Sequence, residues 1–243
     1  MTSPLLRALS VLALGGVLLS TALTGCAMPA ESSSAPESTD EPIASDGSSG
    51  APQAAWLDAT AFVLKTEGDA CAPHIGDFIA GEQSLEIVLV EGDDEMCATV
   101  RTPQGTYVAL PAAFDSSRQV ELTVTEAGRE KTELTLPGLA DGEVIPADRM
   151  AEQTPAVARI DDHEIAVLTS GSSTCPPGSG TLTALSETEG SVRLHSHTDT
   201  ICTRDLVPQI TFVAARDIAA DAVLTLEGHV DADGAPIVLT FVR

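Results

Sequence analysis

Pro103-Gln104-Gly105-Thr106-Tyr107-Val108-Ala109 (PQGTYVA) returns 105 positions later as Pro208-Gln209-Ile210-Thr211-Phe212-Val213-Ala214 (PQITFVA). Working outward at the same shift, Ile87 and Leu89 fall on Val192 and Leu194, and Cys97 falls on Cys202. At a shift of 104, Val63-Leu64 falls on Val167-Leu168, Cys71 on Cys175, Pro73 on Pro177 and Gly76 on Gly180. A register held over this many positions is the signature of an internal repeat, so the chain reads as two related units in tandem.

Within each unit the local pattern is that of strands. Ala61–Thr66, Leu85–Glu91, Thr106–Leu110, Val120–Glu126 and Lys131–Leu136 are short β-branched or alternating runs separated by Gly, Pro and Asp. The second unit repeats the pattern at Glu164–Ser170, Thr181–Leu185, Ser191–His197, Ile210–Ala214, Ala222–Leu226 and Pro236–Phe241. Asp231-Ala232-Asp233-Gly234 has a hairpin-turn composition. No window keeps a helical period over a dozen positions. The expected fold is all-β: two small β-sandwiches or open barrels of Ig-like size, each with one disulfide. A single larger sandwich built from both units is the alternative.

The amino end reads differently. Arg7 precedes an uncharged apolar run, Ala8–Ala22, that closes on Leu23-Thr24-Gly25-Cys26. This resembles the signal and lipobox of bacterial lipoproteins, which implies cleavage before Cys26 and a diacylglycerol on its sulfur. Residues 27–53 are rich in Ser, Pro, Ala, Glu and Asp without an apolar period, so they read as a disordered tether spanning about 30 Å. The expected organisation is a signal peptide at 1–25, lipidated Cys26 and tether at 26–53, and a β-domain at 54–137. A linker at 138–154 and a second β-domain at 155–243 complete it.

Removing residues 1–25 takes away one cation and no acid, so the formal charge moves from −24 to −25. Such a field repels nucleic-acid phosphates and anionic lipid heads alike. Nucleic acid is therefore excluded as a partner, and membrane attachment is expected through the lipid on Cys26, at the extracytoplasmic face of the cell membrane. The remaining cysteines, Cys71, Cys97, Cys175 and Cys202, are even in number, as an oxidising compartment favours. Repeat equivalence selects Cys71–Cys97 and Cys175–Cys202 over the other pairings, each closing a loop worth about 3–4 kcal/mol in the chain-entropy model. A zinc site from the four thiols would want close C-x-x-C pairs, which are missing.

Few residues carry candidate chemistry. His195 and His197 form an H-x-H that, on a strand, sets two imidazoles on one face about 6.5–7 Å apart, a spacing that zinc or copper can bridge. His163, His229, Asp162 and Asp199 are the residues that would complete such a site. The competing account puts Val192 and Leu194 in the core and the histidines on the solvated face. Gly171-Ser172-Ser173-Thr174-Cys175 offers hydroxyls but lacks the closing glycine of a nucleophile elbow. Glu91–Glu95 (EGDDE) and Asp231–Gly234 (DADG) lack the full calcium loop and fit hairpin turns.

The stretch Gly171–Pro176 together with Cys202-x₅-Pro208 resembles a pattern of secreted actinobacterial proteins, and that resemblance implies no activity. The sequence therefore predicts a non-enzymatic binding lipoprotein of the cell envelope with an unspecified envelope protein or ligand as partner. No cofactor is expected beyond the covalent lipid. Metal binding at His195 and His197 is the second expectation and hydrolysis a distant third.

Overall fold

The structure, a computed structural model, describes residues 50–68, 73–92, 100–146, 154–196 and 201–243. Cys26, Cys71, Cys97, His197 and Asp199 lie outside the described residues, as do Asp93–Glu95. The described residues contain strands and no helix, and so none that could cross a membrane. The first half holds β1 (Gln53–Asp58), β2 (Ala61–Gly68), β3 (His74–Ala80), β4 (Ser84–Val90), β5 (Thr102–Ala109), β6 (Val120–Glu126) and β7 (Thr132–Leu136). The second holds β8 (Ala156–Arg159), β9 (Glu164–Gly171), β10 (Ser179–Ala184), β11 (Glu189–His195), β12 (Val207–Ala214), β13 (Val223–Val230) and β14 (Pro236–Thr240).

Both halves have the same strand order. A three-stranded sheet β1-β2-β5 faces a four-stranded sheet β3-β4-β6-β7, and β8-β9-β12 likewise faces β10-β11-β13-β14. In each half one pair is parallel, β4 with β6 and β11 with β13, because the chain crosses to the other sheet through β5 or β12 between them. This parallel pair separates the topology from the all-antiparallel immunoglobulin sandwich that the proportions suggested.

Each half has its own core. Phe62, Leu64, Leu85, Ile87, Leu89, Leu122 and Val124 fill the first, with Trp56 edge-on to Phe62 at 6.1 Å between ring centres. Ile165, Val167, Val192, Leu224, Leu226 and Leu239 fill the second. A third core joins them: Leu57 and Val63 of the first half pack on Ala158, Ala166 and Leu168 of the second, with Tyr107, Ile210 and Phe212 at its margin. The two three-stranded sheets are thus covered on both faces. That is why Ala61–Leu64 and Ile165–Thr169 are buried without alternation. The described residues accordingly belong to one compact unit.

The structure corrects the sequence register at β2 and β9. Val63 lies in the shared middle core, but Val167 lies in the second half's own core; Leu64 and Leu168 are exchanged in the same way. The structural equivalence is instead a shift of 103, which sets Phe62 on Ile165, Val63 on Ala166 and Gly68 on Gly171. Strand pairing fixes this: Val63 faces Tyr107 across β2 and β5, and Ala166 faces Phe212 across β9 and β12. The second half carries one more residue between this glycine and its first cysteine, and that extra residue disguised the true register.

Two boundaries also move. Gln53, read as tether, opens β1 and pairs with Lys65. The stretch read as a linker from 138 is packed as far as it is described: Leu139 and Ile145 belong to the first core. Its backbone is tied to the 113–118 turn through Leu139 N to Ser116 O (2.8 Å), Ala113 N to Ile145 O (2.8 Å) and Ile145 N to Phe114 O (2.8 Å). A Cβ on Gly138 or Gly142 would lie 2.1 or 2.2 Å from Ser117 backbone atoms, so the glycines serve close approach rather than flexibility.

Candidate functional site

The middle interface has two edges. At one, β5 lies against β12; at the other, β1 lies against β8. Both β5 and β12 stand at the ends of their sheets in the described strand order. Gly105 makes their approach possible, because a Cβ there would sit 2.4 Å from Ile210 Cγ2. Beside this contact a cleft of about 700 Å³ opens between Thr102–Gly105 of β5, Val207–Phe212 of β12, and the disulfide loop at Ser173 and Pro176–Ser179. Its lining includes Pro103, Pro176, Pro177 and Pro208 and no charged residue.

The rim is built by the disulfide. Cys175 and Cys202 are bonded with Cα atoms 5.5 Å apart, which brings the Gly171–Cys175 turn against the segment entering β12. Across that join the hydroxyls pool: Ser172 Oγ and Thr203 Oγ1 share a hydrogen bond at 2.8 Å, and Thr203 N–H donates to Thr174 Oγ1 at 3.0 Å. Thr203 Oγ1 donates to Asp205 Oδ1, and Ser173 N–H reaches the same oxygen at 3.3 Å. Hydrogen bonds from Ser173 and Thr203 hold the Asp205 carboxyl down at about 2, since donors favour the charged form. Gln209 Nε2–H donates to Ser172 O at 2.6 Å and closes the floor.

This arrangement orders a loop. Among the described residues the hydrogen-bond partners of Ser172, Ser173 and Thr174 are Thr203, Asp205, Gln209, the Cys175 N–H and each other.

The histidines are distributed. His195 ends β11 on the exposed face, its Nε2 bonded to Thr181 Oγ1 at 2.9 Å, while Val192 is buried and Leu194 packs on the core. His229 Nδ1 lies 3.1 Å from Glu227 O on β13. His163 and Asp162 occupy the exposed β8–β9 turn, where Asp161 Oδ1 accepts the His163 N–H at 2.7 Å. Among the described residues no three His, Cys, Asp or Glu side chains gather as metal ligands. Of the acidic runs, Asp231 Oδ1 accepts the N–H groups of Asp233 and Ala235 at 2.9 Å each, and Gly234 sits at φ +81°. That carboxylate is therefore committed to the β13–β14 turn.

Sequence reasoning named Ser173 and Pro177 for other reasons and missed the cleft, because a cavity between two strands from different units leaves no local motif. The signal was present in the mismatch of size within the PQGTYVA/PQITFVA repeat, Gly105 against Ile210. No family model, curated protein or solved structure matches this chain.

Proposed function

We propose that the chain is a non-enzymatic binding lipoprotein of the cell envelope, held at the membrane by lipid on Cys26 and offering the β5–β12 cleft to its ligand. The observation that carries this reading is the uncharged cleft: 15 lining residues without a charge, in a chain whose 36 acidic residues dominate its surface. Prolines and glutamines between two strand edges suit an extended, neutral segment that pairs with backbone and stacks on apolar rings. The tandem relation of the halves belongs to the same proposal, supported by the sequence repeat and the common strand order. On this reading duplication created the site, since each wall comes from a different half.

A photo-crosslinking side chain at Ser179, in the full lipid-anchored chain on intact cells, tests the proposal. It should give a discrete adduct, and the same group at Thr240, an exposed position on β14, should not. Identical patterns from the two positions would refute the assignment of the cleft.

A further inference from the structure

The opposite edge of the middle interface holds a second cavity of about 310 Å³, where β1 meets β8. Its walls are apolar: Ala54, Ala55 and Trp56 from β1, Leu136, Pro137 and Leu139 from the first half, and Phe241 and Val242 from the second. Its only charged lining residues are Arg159 and Arg243, both cationic.

The electrostatics of Arg159 are unusual for a chain of net charge −24. Its Nη2 donates to the carbonyl oxygens of Ile218 (3.3 Å) and Ala219 (2.9 Å), and its guanidinium lies 4.9 Å from the Phe241 ring centre. Neither carbonyl neutralises the cation, and among the described residues no carboxylate pairs with it. Its Nε–H is buried without a hydrogen-bond partner. A half-buried cation with no carboxylate partner among the described residues, at the wall of an otherwise apolar cavity, is complementary to an anion. Arg243 at the mouth is already paired with Asp221 at 3.3 Å, which leaves Arg159 as the cation open to a ligand.

We infer that this cavity binds a small amphipathic carboxylate, the apolar body lying against Trp56 and Leu139 and the carboxylate meeting Arg159. The volume is at the low end of small-molecule sites, which limits the ligand to a short chain or a single ring. This site is separate from the β5–β12 cleft and stands or falls independently of it.

Trp56 is the only tryptophan in the chain, so its emission reports this cavity alone. Titrating the full chain with octanoate should give a saturable change in Trp56 fluorescence, with octan-1-ol about tenfold weaker, the discrimination expected of one charge-assisted hydrogen bond. Arg159→Met should erase the preference for octanoate. Should that variant unfold on losing its bonds to Ile218 and Ala219, Ala220→Phe supplies the second arm. Ala220 lines the cavity from an exposed position, and the larger ring should block octanoate. A response that does not saturate, equal binding of acid and alcohol, or octanoate binding unchanged in Ala220→Phe would overturn the inference.

Discussion

At equivalent places on β5 and β12 the halves are opposites: the first has Gly105, the second Ile210, and the two touch across the middle interface. Two identical copies could not pack this way, because an isoleucine on both strands would claim the same volume. The middle core shows the same division of labour. Lys65 stands where the second half has Leu168, and it crosses the interface to pair with Glu164 while lying 5.3 Å from the Phe212 ring centre. Tyr107 likewise stands where the second half has Phe212. The outer cores are alike in both halves, while the surfaces that meet each other differ.

The largest effect that tests the likeness of the halves is loss of the disulfide. Cys175→Ala with Cys202→Ala should cost about 3–4 kcal/mol, read as a lowered urea midpoint, because the closed loop no longer restricts the unfolded chain. The same double change at Cys71 and Cys97 should cost an equal amount. A first-half pair whose removal leaves the midpoint unmoved would break the comparison.

Next in size is the overlap at the interface. Gly105→Ile, which makes the first half copy the second, should destabilise by about 2–3 kcal/mol through overpacking against Ile210. Adding Ile210→Gly should recover part of that loss, a coupling that denaturant titration of the four proteins of the cycle would measure. Strictly additive effects would show that β5 and β12 do not meet in solution.

The smallest effects are in pH dependence, where the perturbed groups differ between the halves: Tyr107 in the first, Asp205 and Glu227 in the second. Asp205 titrates near 2, below the ordinary 3.8, so its stabilising contribution is complete above about pH 4 and is lost as pH falls through about 2. Asp205→Asn should remove this acid-side loosening of the disulfide loop, followed by hydrogen exchange at Ser173. In the first half, burial and then the nearby Asp58 carboxylate raise the Tyr107 phenol above 10.0. Its contribution is complete below pH 10.0 and is lost as pH rises beyond it. Tyr107→Phe should abolish that alkaline transition. It should also stabilise the neutral protein by up to about 1 kcal/mol, because the phenol oxygen is buried without a hydrogen-bond partner. An alkaline transition unchanged in Tyr107→Phe would assign it elsewhere.

Strands that alternate, such as Leu85–Glu91 and Val120–Glu126, were legible because every second residue enters a core. The strands that escaped notice each lack that contrast. β1 is alanine-rich and follows a Ser/Pro-rich run of sequence, β3 (HIGDFIA) is exposed along most of an edge, and β8 has only four residues. Of the candidate site, the disulfide Cys175–Cys202 and its hydroxyl turn were visible in the spacing. The cleft and the Trp56–Arg159 cavity were not, since their walls come from segments about 20 to 190 positions apart.

The sequence by itself determined the β class, most strand positions and the pairing of Cys175 with Cys202. Only the tertiary structure decided how the two halves meet, and the reason is physical. A strand covered on one face announces its orientation through alternation, but Ala61–Leu64 and Ile165–Thr169 are covered on both, so a shift of one residue leaves their apolar pattern unchanged while exchanging every side chain between cores. Which of Val63 and Leu64 faced the partner half was settled by backbone pairing and by the shape of the opposing sheet.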